Sequence, residues 1–304
     1  MTWTLADIPD MHRRTALVTG ATDGLGFETA RELARRGARV LLAGRNASKG
    51  EAALKRIRDE QPGADVTFES VELGDLATVR SLAQRAGAQG VDILINNAGI
   101  MGVPKSKTTQ GFESQLGVNY LSHFVLTGSL LGALRAAKDA RVVSLSSNGH
   151  KMGRLDFDDL QGDKKYGPFK AYTQSKLAML LFAQELQRRS DWHGWGLLSV
   201  AAHPGFARTN LFKPEDQSKF VTPLLRAAER AISQGAAEGA QPTLLAATSP
   251  DAPPASYWGP TGMMEMKGPP GRAGIAKHAA DPAAAARLWE VSQQLTDHPF
   301  GEGA

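Results

Sequence analysis

The chain contains no cysteine. That excludes disulfides, thiolate metal sites and cysteine nucleophiles, and it fits a reducing compartment. An apolar run near the roughly 18 residues needed to cross a bilayer is also missing. The opening stretch Met1–Asp10 has no basic residue and no apolar core, carries Asp7 and Asp10, and does not read as a signal peptide. Nor is there a block of one charge: 35 Lys and Arg are scattered among 31 Asp and Glu, for a net charge of +4, so no nucleic-acid footprint is expected. Repeats and separating linkers are lacking too. The expectation is one soluble, cytoplasmic domain of 304 residues, without metal or membrane insertion. Its core is expected at about 13–260, a substrate flap at about 206–235 and a C-terminal extension at 259–304.

What is present is an alternation of apolar strands and helical patterns. Thr15–Thr19 reads as a strand, Gly20 to Gly26 as a glycine-rich turn, and Phe27–Arg36 as a helix with Ala30, Leu33 and Ala34 at helical spacing. Glycines permit positive φ and close backbone approach, and a helix N-terminus offers unpaired N–H groups to a pyrophosphate. A plain structural turn is the competing reading; the position between strand and helix favours a nucleotide. Strands at Ala38–Ala43, Asp65–Val71 and Val91–Ile95 alternate with helices at Ser48–Glu60 and Leu76–Arg85. That pattern predicts an α/β Rossmann fold: a doubly wound, seven-stranded parallel sheet with helices on both faces and ligands at the carboxyl ends of its strands.

The rest of the chain continues the pattern. A helix is expected over Phe112–Leu134, carrying Asn119 where asparagine is unfavourable, and a strand from Arg141 that ends in Ser146 and Ser147. The polar stretch 148–171 is long and has no period. A helix follows at Ala171–Arg188, then a strand at Gly196–Ala202, a polar and aromatic stretch at Asn210–Thr222, helices at Leu224–Ser233 and Gly235–Thr248, a last strand at Ser256–Trp258 and a closing helix at Ala283–Leu295. The second strand ends in Gly44, Arg45 and Asn46, with no acid to hold the ribose hydroxyls of NAD. Arg45 therefore favours NADP over NAD, although a solvent-facing loop arginine is the other reading.

Tyr172 and Lys176 stand four apart in a helical pattern, hence on one face. A nearby ammonium favours the phenolate and so lowers a tyrosine pKa that starts near about 10. A solvated helix face is the alternative.

Taken together, Gly20, Gly24 and Gly26 in Thr-Gly-x-x-x-Gly-x-Gly, Asn96-Asn97-Ala98-Gly99, Asn119, Ser147, Tyr172-x-x-x-Lys176 and Pro204-Gly205 resemble the short-chain dehydrogenase/reductase family, from about Thr15 to Trp258. Within it, the strand ending in two serines, the long gap to Tyr172 and His203-Pro-Gly are similar to the retinol dehydrogenase and protochlorophyllide reductase-like branch. The resemblance implies a catalytic set of Asn119, Ser147, Tyr172 and Lys176. Tyr172 would exchange a proton with a carbonyl or alcohol oxygen and Ser147, rather than its neighbour Ser146, would donate a hydrogen bond to that oxygen. Lys176 would lower the tyrosine pKa and hold the nicotinamide ribose, and Asn119 would hold a water leading to Lys176. The implied cofactor contacts are Gly20, Thr22, Asp23, Gly24, Leu25, Gly26, Arg45, Asn46, Glu72, Leu73, Asn97, Ala98, Gly99, Tyr172, Lys176, Pro204, Gly205 and Thr209.

Three departures bound this reading. Glu72 stands where the family often has an aspartate beside the adenine, the apolar anchor of membrane-bound retinol dehydrogenases is missing, and without cysteine light-driven reduction is not expected. The expected function is NADP(H)-dependent hydride transfer to or from a moderately apolar carbonyl or alcohol, in a monomer, homodimer or homotetramer. Phe206, Leu211, Phe212 and Phe220 motivate the apolar substrate. A catalytically weak NADP-binding redox sensor or scaffold is the alternative; loss of Tyr172 or Lys176 would have marked it, and both are kept.

Overall fold

The structure is a computed structural model and describes residues 3–206 and 234–301. Most of the expected flap, with Thr209, Leu211, Phe212 and Phe220, and the expected helix at Leu224–Ser233 lie outside the described residues.

Eight strands form one sheet: β1 (Thr15–Thr19), β2 (Arg39–Gly44), β3 (Val66–Ser70), β4 (Ile93–Asn96), β5 (Arg141–Leu145), β6 (Leu198–Ala202), β7 (Tyr257–Pro260) and β8 (Pro270–Arg272), in the order β3-β2-β1-β4-β5-β6-β7-β8. The order reverses between β1 and β4, which opens a crevice at their carboxyl ends. The first seven strands are parallel; β8 is the correction to the expected seven, pairing antiparallel with β7 so that Trp258 faces Arg272 and Pro260 faces Pro270. Its three residues, Pro-Gly-Arg, carry no apolar alternation that would mark a strand, and Pro270 is tolerated because β8 is the sheet edge.

Strand side chains alternate between the two faces. Ala16 and Val18 pack with Phe27 and Leu33 of α1 (Gly24–Arg35), with Leu54 and Ile57 of α2 (Ala47–Glu60) and with Leu244 further along the chain. Leu17 packs with Leu82 of α3 (Leu76–Gly87) on the opposite face.

The helix expected over Phe112–Leu134 is interrupted. Glu113 caps a single turn, α4 (Ser114–Leu116), a π-helical turn spans Gly117–Leu121, and α5 (Ser122–Ser129) and α6 (Leu131–Ala136) follow. Such widened turns sit frequently at functional sites, and Asn119 lies in this one.

The helix of Tyr172 is longer than its apolar pattern indicated. This α7 (Pro168–His193) starts with proline at its first position and ends where Gly194 turns left-handed at φ +64°. After it come α8 (Ala236–Thr248) and α9 (Pro282–Thr296). Phe124, Phe182, Trp289 and Phe300 form one aromatic cluster, with Trp289 and Phe300 4.4 Å apart, that seats α9 against α5 and α7. Among the described residues no helix is long and apolar enough to cross a membrane.

Candidate active site

The glycine turn after β1 is built for close approach. Gly20 and Gly24 take φ of +66° and +57°, and a Cβ on Gly26 would lie 2.4 Å from the Gly20 carbonyl oxygen. Asp23 caps α1 by accepting from the Gly24 amide, Thr22 packs beside Gly44, and Leu25 accepts from Thr29. The Asn97 side chain donates to the Thr19 carbonyl at 2.7 Å, and the Asn97 and Ala98 amides donate to Thr19 Oγ1. The turn after β4 is thereby pinned to the glycine turn. This cradle, with a helix N-terminus at its base and no room for side chains, fits the pyrophosphate of a dinucleotide.

At the ends of β2 and β3, Arg45, Asn46, Val71 and Glu72 line an open recess of about 360 Å³. Arg45 is largely exposed and its guanidinium reaches Glu72 at 3.9 Å, while Asn46 caps α2 and the neighbouring Leu73 is buried.

Tyr172, Lys176, Ser147 and Asn119 converge where β4, β5 and α7 meet. Tyr172 and Ser147 both border Gly149, where a Cβ would lie 3.5 Å from the Tyr172 ring and 3.4 Å from Ser147 Oγ, and burial, only partly opposed by the Ser147 hydroxyl, raises the tyrosine pKa above the ordinary value of 10.0. Lys176 is buried, donates to the Leu145 carbonyl at 3.0 Å and stands 6.0 Å from the Tyr172 ring centre; burial lowers its pKa to about 8. Here the expectation from helical spacing is corrected. The pair does share a face, but desolvation of the phenol dominates and raises the Tyr172 pKa. A Cβ on Gly99 would lie 3.4 Å from Lys176 Nζ, so the turn after β4 and the lysine adjoin. Ser146 donates to the Lys176 carbonyl and is thus turned into the fold, whereas Ser147 Oγ accepts from the Gly149 amide at the head of a short 3-10 turn.

Asn119 is held by its side chain: it accepts from the Ile100 amide and donates to the Ile100 carbonyl and to Ser175 Oγ at 2.8 Å. Its main-chain carbonyl faces His123 Nδ1 at 3.0 Å, and His123 Nε2 faces Thr19 Oγ1 at 2.9 Å. Burial pushes the His123 pKa down to about 4, so the ring is neutral and bridges the glycine-turn strand to the π-helical turn. His123, four residues after Asn119, escaped notice although helical spacing places it on the same face.

The segment 148–171 forms one wall. Its Tyr166 hydroxyl donates to Val103, Gln174 anchors Leu160, and Lys105 pairs with Asp163 at 3.1 Å. On the other side, Pro204 accepts from Gln234, and Gly205, left-handed at φ +66°, leads to Phe206. Large apolar side chains stand exposed on these segments and on the stretch after β7: Met152, Phe169, Phe206, Met263, Met264 and Ile275. Phe169 lies 6.4 Å from Tyr172, ring to ring. No cluster suited to a metal occurs among the described residues.

Comparison with known proteins bears on this arrangement. The sequence profile of the short chain dehydrogenase family matches residues 14–219. Mouse retinol dehydrogenase 12 is 40% identical over 286 residues, covering 93% of this chain and 86% of the relative. Human retinol dehydrogenase 14 is 36% identical over 302 residues, covering 94% and 87%. Among solved structures, an uncharacterised protein from Mycobacterium paratuberculosis superposes with a TM-score of 0.80 at 42% identity, covering 99% of each chain. A protein from Beutenbergia cavernae described as an NAD(P)-dependent gluconate 5-dehydrogenase, with NADP bound at low occupancy, superposes at 0.61 with 27% identity, covering 80% of this chain and 92% of that one.

Proposed function

The chain belongs to the short-chain dehydrogenase family, and from that premise we propose that it is an NADP(H)-dependent oxidoreductase interconverting an apolar aldehyde or ketone with its alcohol. The observation that carries this reading is the convergence of Tyr172, Ser147 and buried Lys176 beside Gly99, next to a glycine cradle without room for side chains. A bound nicotinamide dinucleotide would supply or accept the hydride. Gly20, Gly24 and Gly26 would take its pyrophosphate, Arg45 the ribose phosphate of NADP, and Pro204–Gly205 the nicotinamide end.

The acid/base work falls to the protein. With its pKa above 10, Tyr172 is a protonated phenol at neutral pH, the form that donates a proton to the oxygen of a carbonyl being reduced. Ser147, beside Tyr172 across Gly149, adds a second donor to the same oxygen, where negative charge develops. Lys176 stays largely protonated at pH 7 and places positive charge behind the phenol, which stabilises the phenolate left after proton transfer. The exposed apolar rim of Met152, Phe169, Phe206, Met263 and Met264 and the retinol dehydrogenase relatives support an apolar substrate.

The test is a panel of aliphatic, aromatic and polyene aldehydes and ketones, each offered with NADPH and with NADH. Turnover of apolar carbonyls with NADPH is the expected result. Coenzyme oxidation confined to polar sugars or acids, or running equally well on NADH, would overturn the substrate or the coenzyme part of the reading respectively.

A further inference from the structure

Glu265 is the side chain that binds the two walls of the site together, and nothing in the sequence pattern marks it. It lies on a turn between β7 and β8, where Met264 and Glu265 both adopt left-handed backbone, φ +53° and +55°. Residues with a Cβ enter that region at a cost, so contacts must hold the turn. They do: Asn148, next to Ser147, donates its side-chain amide to the Met264 and Glu265 carbonyls, both at 3.2 Å. Glu265 Oε1 accepts from the Gly274 amide at 2.7 Å, and Oε2 accepts from Lys151 at 2.9 Å.

The same Oε2 faces His203 Nε2 at 3.4 Å, a long contact to a ring that is completely buried. On its other side, His203 Nδ1 lies 3.2 Å from the Gly205 amide, which can only donate. Nδ1 is therefore the acceptor and the proton of the neutral ring sits on Nε2, the nitrogen nearest the carboxylate, which makes no hydrogen bond in this arrangement and is held beside Oε2 by charge and packing. Burial lowers the His203 pKa, which keeps the ring in this neutral form, and contact with His203 and Lys151 holds Glu265 ionised, its pKa down to about 2. The ring has no freedom to turn away: a Cβ on Gly259 would lie 1.9 Å from Nε2, and Tyr257 packs 5.1 Å from it, centre to centre. The charged and titratable groups around the carboxylate are Lys151, His203, His150 and Tyr257. One further bond closes the arrangement, from the Phe206 amide to the Met266 carbonyl at 2.7 Å.

We propose that Glu265 is a positioning residue for the nicotinamide end of the coenzyme: acting through the His203 ring it orients the Gly205 amide, and through Lys151 it fixes that turn relative to Ser147. This rests on the reading that Pro204–Gly205 borders the nicotinamide. A residue with only a general structural role would affect all coenzyme contacts or none. A positioning role affects the nicotinamide half alone.

The experiment compares NADPH with 2′-phosphoadenosine diphosphate ribose, which lacks the nicotinamide ring, binding to the parent, Glu265→Ala and Glu265→Gln proteins, with melting temperatures in parallel. In Glu265→Ala the affinity for NADPH is expected to fall about tenfold, the scale of one hydrogen bond, while the fragment binds as to the parent. Glu265→Gln keeps an oxygen beside Nε2 and should recover most of the loss. Unchanged NADPH binding in Glu265→Ala, or equal weakening of both compounds, overturns the inference while leaving the functional reading intact. A parent protein that binds the fragment and NADPH equally overturns the assignment of Pro204–Gly205 to the nicotinamide, and this inference with it.

Discussion

Lys176 Nζ stands 6.0 Å from the centre of the Tyr172 ring and gives its hydrogen bond to the Leu145 carbonyl. The two residues share a helix face, as four-residue spacing requires, yet they do not form a contact pair in which one simply ionises the other. Both are buried, and burial disfavours a phenolate and an ammonium alike. Each pKa therefore moves toward the neutral form, Tyr172 upward and Lys176 down to about 8.

A buried ammonium is costly, and Lys176 is expected to be retained for chemistry at the expense of stability. In the folded chain it loses its proton near pH 8, against 10.5 for the ordinary side chain. Between those values the unfolded chain holds the extra proton, so stability rises with pH. Lys176→Met should abolish turnover yet raise the unfolding free energy at pH 7 by about 1–3 kcal/mol, and its advantage should shrink as pH climbs through that window. Denaturant titrations at several pH values check this; a destabilised Lys176→Met protein at pH 7 would contradict it.

Acid acts through the histidines. His123 and His150 have pKa values lowered to about 4 from 6.5, both chiefly by burial. Below pH 6.5 the unfolded chain takes up protons that the folded chain refuses, so stability is lost as pH falls from 6.5 toward 4. The loss should be on the order of 3 kcal/mol for each of the two histidines. His123→Gln, which cannot titrate, should flatten part of this acid limb, and an unaltered slope would remove His123 from the account.

The coenzyme preference makes two predictions of opposite sign. Arg45→Ala should weaken NADPH about tenfold to a hundredfold, as for a charge-assisted contact, and leave NADH nearly unchanged. Glu72, 3.9 Å from the Arg45 guanidinium, is a competing anion beside the phosphate position. Glu72→Gln should accordingly tighten NADPH. Titration of both coenzymes against both variants decides it; equal losses of NADPH and NADH in Arg45→Ala would favour a loop arginine with no coenzyme role.

The fold was legible where pattern is dense. Thr15–Thr19, a run of residues buried on both sheet faces, and the Gly20–Gly26 turn specify the first strand, turn and helix without tertiary information. Pattern misled where a backbone irregularity is set by neighbours: the π-helical turn at Asn119 depends on His123, Ser175 and Ile100, which lie on three different segments. β8 was invisible because Pro270, Gly271 and Arg272 are ordered by β7 rather than by their own propensity. The site was legible as a set of residue types, but not in its electrostatics. Spacing places Tyr172 and Lys176 on one face; only burial decides which way their pKa values move. Glu265 could not be found at all, since its role arises from Lys151 and His203, brought to it by the sheet.

The central claim, that Tyr172 supplies the proton in carbonyl reduction, is tested most directly by Tyr172→Phe, assayed with a carbonyl substrate that the parent reduces. The phenol is 7% exposed and the exchange removes one oxygen, so the fold and NADPH affinity should be preserved. The rate of NADPH oxidation should fall by roughly 10²–10⁴, the range for loss of a positioned general acid. A Tyr172→Phe protein that binds NADPH normally and reduces the substrate at the parental rate would contradict the account.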